Sequence, residues 1–210
     1  MKKLITEEDV RRVLKTGSKV VVTGSNAIIT PLARDLIRSK NLAVIEKKFD
    51  DDSAGSKNFP FKKIAVGSDH TGFKTKNSLI KLLTGKDYQV YDVGTFDEKS
   101  CDYPDFALAV SEKVQQNSVD CGIIIDATGI PSAIAANKVE GIRAATCYNE
   151  FSAKSSRAHN DANVLVLGAK ALGDETIFSI VGTWLNTAFE GGRHQRRLNK
   201  ITGIEKKYRN

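Results

Sequence analysis

The chain has 210 residues, 40% of them apolar, with 32 Lys and Arg against 25 Asp and Glu for a formal charge of +7. That length holds one ordinary domain and a small appendage. It contains no apolar run of the ~20 residues that a membrane helix needs. The opening MKKLITEEDV turns acidic at once, without the apolar core and cleavage site of a signal peptide, so a cytoplasmic protein is expected and no membrane partner.

Residues 1–49 read as a small α/β module. Thr6 with Asp9 marks a helix start of capping-box type, Gly17 its end, Val20–Val22 a short strand, Thr30-Pro31 a second helix start and Leu42–Ile45 a second strand. So short a module has little core of its own. Residues 50–61, DDDSAGSKNFPF, have the polar, proline-containing composition of a linker. From residue 62 to 210 the texture changes. Apolar runs at Ile64–Val66, Val90–Val93, Ile123–Ile125, Ile142–Cys147 and Val164–Leu167 alternate with helical stretches at Lys74–Leu83, Phe106–Gln115, Ala133–Lys138, Phe151–Ala158 and Thr176–Thr187. This predicts a doubly wound, Rossmann-like parallel sheet covered on both faces. In a flavodoxin-like order the switch point falls between its first and third strands, where ligands bind beyond the carboxyl ends.

Cys101, Cys121 and Cys147 form no zinc spacing and an odd number argues against a disulfide framework, so Cys121 and Cys147, inside apolar runs, read as buried small hydrophobes in a reducing compartment. The basic excess lies partly in clusters at Arg193–Arg197 and Lys206–Arg209. Without an aromatic-interleaved RNA motif or a helix-turn-helix signature, it points to an acidic surface or a small anionic ligand rather than nucleic acid.

Four stretches can carry chemistry. Gly67-Ser68-Asp69-His70-Thr71-Gly72 is either an anion-binding strand–helix turn or an ordinary turn capped by Asp69 or Thr71. Asp126, at the end of Ile123–Ile125, is either a helix cap or a base, with Thr128 and the following amides available to stabilise an anion. His159 in SRAHNDAN is either an acid–base imidazole at a helix end or a surface cap. Arg193 and Arg197, four apart on one helix face, are either a phosphate fork or a solvated basic face.

Taken together and in this order, GSDHTGFKTK, Asp102–Pro104, the ATG…AANK stretch ending at Lys138, GIRAA, SRAHNDANVLVLGAK and TWLNTAFEGGRHQRR resemble the type B ribose-5-phosphate isomerases and their galactose-6-phosphate isomerase relatives, from about Lys63 to Ile204. The resemblance implies an aldose–ketose isomerase that works through an enediolate, without metal or organic cofactor. Its catalytic positions are here Asp126, Thr128 and His159, the last assisting ring opening. Arg193, Arg197, His70 and His194 match phosphate-holding positions, with Lys170 where relatives often place an arginine. Asp69, Tyr103, Gly129, Ser132, Asn137 and Asn160 match the remaining substrate contacts. Sites formed between two subunits imply a homodimer or a tetramer.

Two positions depart from the family. Asp126 stands where the commonest form has a cysteine base, and Ser132 where another branch has a glutamate. The aspartate is also similar to the A-type subunit of galactose-6-phosphate isomerase, whose partner carries the cysteine. Pro131 replaces a glycine of the anion-binding loop and has no N–H to give. An altered substrate, or a subunit that binds sugar phosphate without turning it over, follows as an expectation. ITEEDV with ITPLARDL is similar to N-terminal segments of bacterial microcompartment-associated enzymes. That implies docking to shell or cargo, or else a stabilising extension.

Overall fold

In a computed structural model, the structure describes residues 4–24, 27–47 and 61–208. The chain divides into two compact units, Met1–Lys57 and Asn58–Asn210. Most of the expected linker, residues 50–60, lies outside the described residues. Its last residue, Phe61, is buried and stacks on Trp184 at 5.4 Å between ring centroids, so it belongs to a core.

The first unit runs β1 (Leu4–Ile5), α1 (Glu7–Lys15), β2 (Val20–Gly24), β3 (Ile28–Ile29), α2 (Pro31–Ser39) and β4 (Ala43–Lys47). The strands pair in parallel, β1 with β3 and β2 with β4. Both expected helix starts are present. The Thr6 N–H and hydroxyl both donate to Asp9, at 3.1 and 2.8 Å, and Thr30 Oγ1 accepts the Ala33 N–H at 3.3 Å ahead of Pro31. Ile5, Val10, Val21, Ala33, Ile37 and Leu42 form the unit's own small core. The two-residue strands β1 and β3 have no counterpart in the sequence reading, because two residues carry no alternation to detect.

The second unit runs β5 (Lys63–Ser68), α3 (Phe73–Thr84), β6 (Gln89–Asp92), α4 (Tyr103–Gln115), β7 (Cys121–Asp126), α5 (Ile130–Ala136), β8 (Ala144–Thr146), α6 (Glu150–Asn160), β9 (Val164–Gly168), α7 (Asp174–Leu185) and α8 (Arg193–Lys207). Its five strands are all parallel, in the order β6-β5-β7-β9-β8. In chain order this is 2-1-3-5-4. The flavodoxin-like expectation of 2-1-3-4-5 is therefore corrected at its last two strands, while the switch between β5 and β7 stands. Burial explains the exchange. All five residues of β9 are buried and suit an interior position, whereas β8 is three residues long, half-buried, and suits an edge.

Successive side chains of each strand serve opposite faces. Ile64, Ile123, Ile125 and Leu165 pack with Leu79, Ile177 and Trp184 on one side. Ala65, Ile124 and Val166 pack with Ala107, Val110 and Ala136 on the other.

One buried charge organises a corner. The Arg157 guanidinium lies 4.7 Å from the Phe61 ring and 5.4 Å from the Trp184 ring. Its Nη1 donates to Asp161 Oδ1 at 2.8 Å and to the Ala162 carbonyl at 2.6 Å. Asp161 ends α6 in the left-handed region, at φ 46°, and also takes Arg143 Nη2 at 3.0 Å. This network fixes the turn that follows His159 and Asn160.

Candidate active site

At the carboxyl ends of β5 and β7, the Asp69 N–H bonds the Ile125 carbonyl at 3.2 Å, tying the two switch-point turns together. Asp69 Oδ1 accepts the Thr71 N–H, the Thr71 hydroxyl and the Gly72 N–H at 2.8, 2.6 and 3.2 Å. Its carboxylate thus organises the turn before α3. Gly72 is required there, since a Cβ would stand 2.6 Å from the Ile125 carbonyl oxygen. His70 is half-buried, and its Nδ1 accepts the Cys101 N–H at 3.3 Å. With Nδ1 an acceptor, the proton of the neutral ring sits on Nε2, where it can be offered to an anion. The same contact brings Tyr103, at the start of α4, to this end of the sheet. Lys76 was not anticipated from sequence. It is fully buried and places Nζ 2.6 Å from both carboxylate oxygens of Asp92, whose Oδ1 in turn takes the Gly94 N–H at 3.0 Å. It anchors the loop that carries Cys101. The only sequence sign of it is a lysine on the inward face of an apolar helix.

Asp126 is 1% exposed and closes on its own loop. Oδ1 accepts the N–H groups of Thr128 and Gly129 at 2.8 and 2.5 Å, and Oδ2 accepts that of Ser132 at 3.0 Å. The Ile130 N–H bonds Thr128 Oγ1 at 3.3 Å, and Pro131 has no N–H. Every backbone N–H from 128 to 132 is thereby engaged within the loop. Carbonyls are taken as well, that of Gly129 by the Thr146 hydroxyl at 2.7 Å and that of Thr128 by the Tyr148 hydroxyl at 3.0 Å. The Ser132 hydroxyl is buried there and has no hydrogen-bond partner among the described residues. Lys170 has an exposed side chain, and its N–H reaches the Ala127 carbonyl at 2.9 Å.

The second group of expected residues gathers elsewhere. His159, in the last turn of α6, has Nδ1 3.2 Å from Ser155 Oγ and stacks on His194 with centroids 4.4 Å apart and planes 7° from parallel. His194 is buried on α8, between the exposed Arg193 and Arg197 in sequence. Arg193 Nε donates to His194 Nε2 at 3.4 Å. Glu190, which the sequence reading missed, faces both rings, with Oε2 3.8 Å from His159 Nε2 and 3.7 Å from His194 Nε2. Its N–H bonds the Ala158 carbonyl at 3.0 Å, which ties the segment before α8 to the end of α6. Loss of solvation lowers the proton affinity of His194, the positive charges of His159, Arg193 and Arg197 lower it further, and Glu190 opposes them. Asn137 spends its side chain on structure. Its Nδ2 reaches the carbonyls of Ala133 and Ala144, both at 2.9 Å, and its Oδ1 takes the Ala144 N–H at 2.8 Å, which clamps β8. Asn137 and Asn160 also line a cavity of about 490 Å³ with Arg143, Ile201 and Glu205.

These two groups sit at opposite ends of the sheet. In the register of β7 and β9, Gly122 pairs with Val164 and Asp126 with Gly168. Four residue steps put Asp126 about 13 Å along the strands from the level of Val164, while His159 precedes that level. Within one chain, Asp69, His70, Tyr103, Asp126, Thr128, Gly129, Ser132 and Lys170 therefore share the carboxyl end. Asn137, His159, Asn160, Arg193, His194 and Arg197 share the amino end. The meeting of His70 with Arg193 and Arg197 on one phosphate, expected at a site between two subunits, does not occur inside a single chain. The reason is topological: a helix that follows a parallel strand ends back at the sheet's amino edge.

A five-stranded, doubly wound parallel sheet with its polar loops at the switch point defines an α/β protein of the Rossmann-like class. Residues 64–201 match the Ribose/Galactose Isomerase family. The chain is 45% identical over 146 residues to ribose-5-phosphate isomerase B of Escherichia coli (strain K12), covering 70% of this chain and 98% of that protein. Among solved structures, ribose-5-phosphate isomerase B of Clostridium thermocellum aligns with a TM-score of 0.70 and 50% identity, covering 70% of this chain and 99% of that one. The Mycoplasma genitalium enzyme, solved with bound ribulose-5-phosphate, aligns with a TM-score of 0.67 and 43% identity over 69% of this chain and 96% of that one. The chain belongs to the Ribose/Galactose Isomerase family, and its second unit is similar to the type B ribose-5-phosphate isomerases.

Proposed function

We propose that the protein interconverts a phosphorylated aldose and ketose through an enediolate, at a site completed by two copies of the chain. The observation that carries this reading is the separation of two half-sites, each chemically incomplete. The carboxyl-end half offers Asp126 as base, Thr128 and His70. The amino-end half offers His159 to open the sugar ring and the paired guanidiniums of Arg193 and Arg197 to hold phosphate. A homodimer or a tetramer that sets one half against the other supplies a whole site, with Asp69, Tyr103, Gly129, Ser132, Asn137, Asn160, His194 and Lys170 shaping it.

A second reading is favoured by the closed loop at Asp126. An enediolate oxyanion is stabilised by free N–H donors, and the amides of Thr128, Gly129 and Ser132 already bond the Asp126 carboxylate. In effect the chain carries its own anion in that place. On this reading the protein binds sugar phosphates as a partner subunit, or acts on a substrate other than ribose 5-phosphate.

The test is a panel of aldose and ketose phosphates in deuterated water, scored by exchange of the C2 proton. Exchange that collapses in Asp126→Asn supports the base. Tight binding without exchange supports the second reading. In that case Asp126→Cys, which frees the three amides, should raise exchange by roughly 10²-fold, the scale of one oxyanion donor.

Residues 1–49 we assign to docking on a partner, with a bacterial microcompartment as the setting. What supports docking is a unit with its own core and exposed apolar side chains at Ile28 and Leu32, while the microcompartment setting rests on the likeness of ITEEDV and ITPLARDL alone. Unchanged localisation and partners after their deletion would remove this part of the proposal.

A further inference from the structure

We infer that His159, Glu190 and His194 form a chelating site for a divalent transition-metal ion of the zinc type, and that an ion bound there silences His159. Their ligand atoms all lie within 4.8 Å of one another. Glu190 Oε2 is 3.8 Å from one imidazole Nε2 and 3.7 Å from the other. Zinc bonds of about 2.0–2.2 Å in a tetrahedron separate ligand atoms by roughly 3.4 Å. Closing the set takes a few tenths of an ångström at each Glu190 contact and about 1 Å between the two imidazoles, whose ring centroids are 4.4 Å apart.

The side chains able to make that movement are the accessible ones. Glu190 is 58% exposed and His159 43%, while His194 is 7% exposed and stays as the fixed wall. The parallel rings must also splay so that their Nε2 lone pairs converge. On His159 the ring nitrogen not used for the metal already faces Ser155 Oγ at 3.2 Å, the kind of support that orients a metal-binding imidazole. Two His and one carboxylate leave a fourth position open to water.

Charge sets the strength of this site. Glu190 supplies the negative charge, and Arg193, with Nε 3.4 Å from His194 Nε2, opposes a cation and must swing away. Arg197, one turn further along α8, adds to the repulsion. The site is accordingly a weak one, filled when the metal is abundant rather than holding a resident ion. Occupancy takes up the Nε2 lone pair of His159 that proton transfer would use. This consequence rests on the isomerase reading, but binding itself does not.

Calorimetric titration of the metal-free full-length chain with zinc chloride tests the site. One ion per chain is expected, bound at least tenfold more weakly by Glu190→Gln and several-fold more tightly by Arg193→Gln. Cobalt(II) in place of zinc should give the visible absorption of a four-coordinate site, lost in Glu190→Gln. Glu190 is exposed, so its substitution leaves the fold standing. Unchanged affinity in both variants, or no binding at millimolar zinc, would overturn the inference. If the ion binds as expected but sugar-phosphate exchange is absent at every zinc level, the isomerase reading fails and the metal site remains.

Discussion

Asp126 shows how one residue changes the meaning of a loop. A cysteine at the end of β7 would leave the following amides open, whereas the aspartate collects three of them as a helix cap does. Read from sequence, this residue had two possible roles, cap and base. Its partners make the cap a present fact and the base a matter for experiment. Asp161 has a structural task of comparable weight, because it neutralises the buried Arg157. Asp161→Ala should destabilise the second unit by about 3–5 kcal/mol, the usual consequence of leaving a buried charge unpaired, as read from urea unfolding. His194 gives a pH signature. Its proton affinity is lower in the folded chain than the unfolded value near 6.5, so the unfolded state takes up the proton first as pH falls. The stability it contributes is therefore complete above about pH 6.5 and is lost as pH drops toward the folded value. Chemical denaturation at stepped pH values in chelator should show this loss, and His194→Asn should flatten it.

At the level of elements, most of the second unit was legible in the sequence. The runs Ile64–Val66, Ile123–Ile125 and Val164–Leu167 are buried on both faces, and their strand length between helical stretches marked them. What escaped was their order at one edge, since composition fixes a strand's burial more surely than its neighbour. Lys76 and Glu190 escaped as well, because their roles depend on Asp92 and His159, 16 and 31 residues away, which only the fold brings round. Close packing adds a constraint of its own. The last residue of β9, Gly168, passes so near the Asp126 loop that a Cβ would stand 2.6 Å from the Thr128 carbonyl oxygen. Gly168→Ala should cost about 1–3 kcal/mol through overpacking and lower the melting temperature. The strain should appear in the Asp126 loop, where amide hydrogen exchange at Thr128 and Gly129 would quicken.

At the scale of the whole molecule, the sequence singled out candidate residues and spacing alone could not say that they lie at opposite ends of the sheet. Spacing along a chain carries no record of which end of a sheet a helix returns to. The register of β7 with β9 supplies it and separates His70 and Asp126 from His159 and Arg197. A site made of both groups needs two chains. The most direct test mixes two crippled variants, His70→Ala and His159→Ala, by refolding them together. Each alone should be inactive in C2 proton exchange. In a two-fold assembly formed at random, half the dimers are mixed and one of their two sites is intact, so about a quarter of the parent activity should return. A mixture as inactive as its components, from a parent that is active, would contradict the shared site.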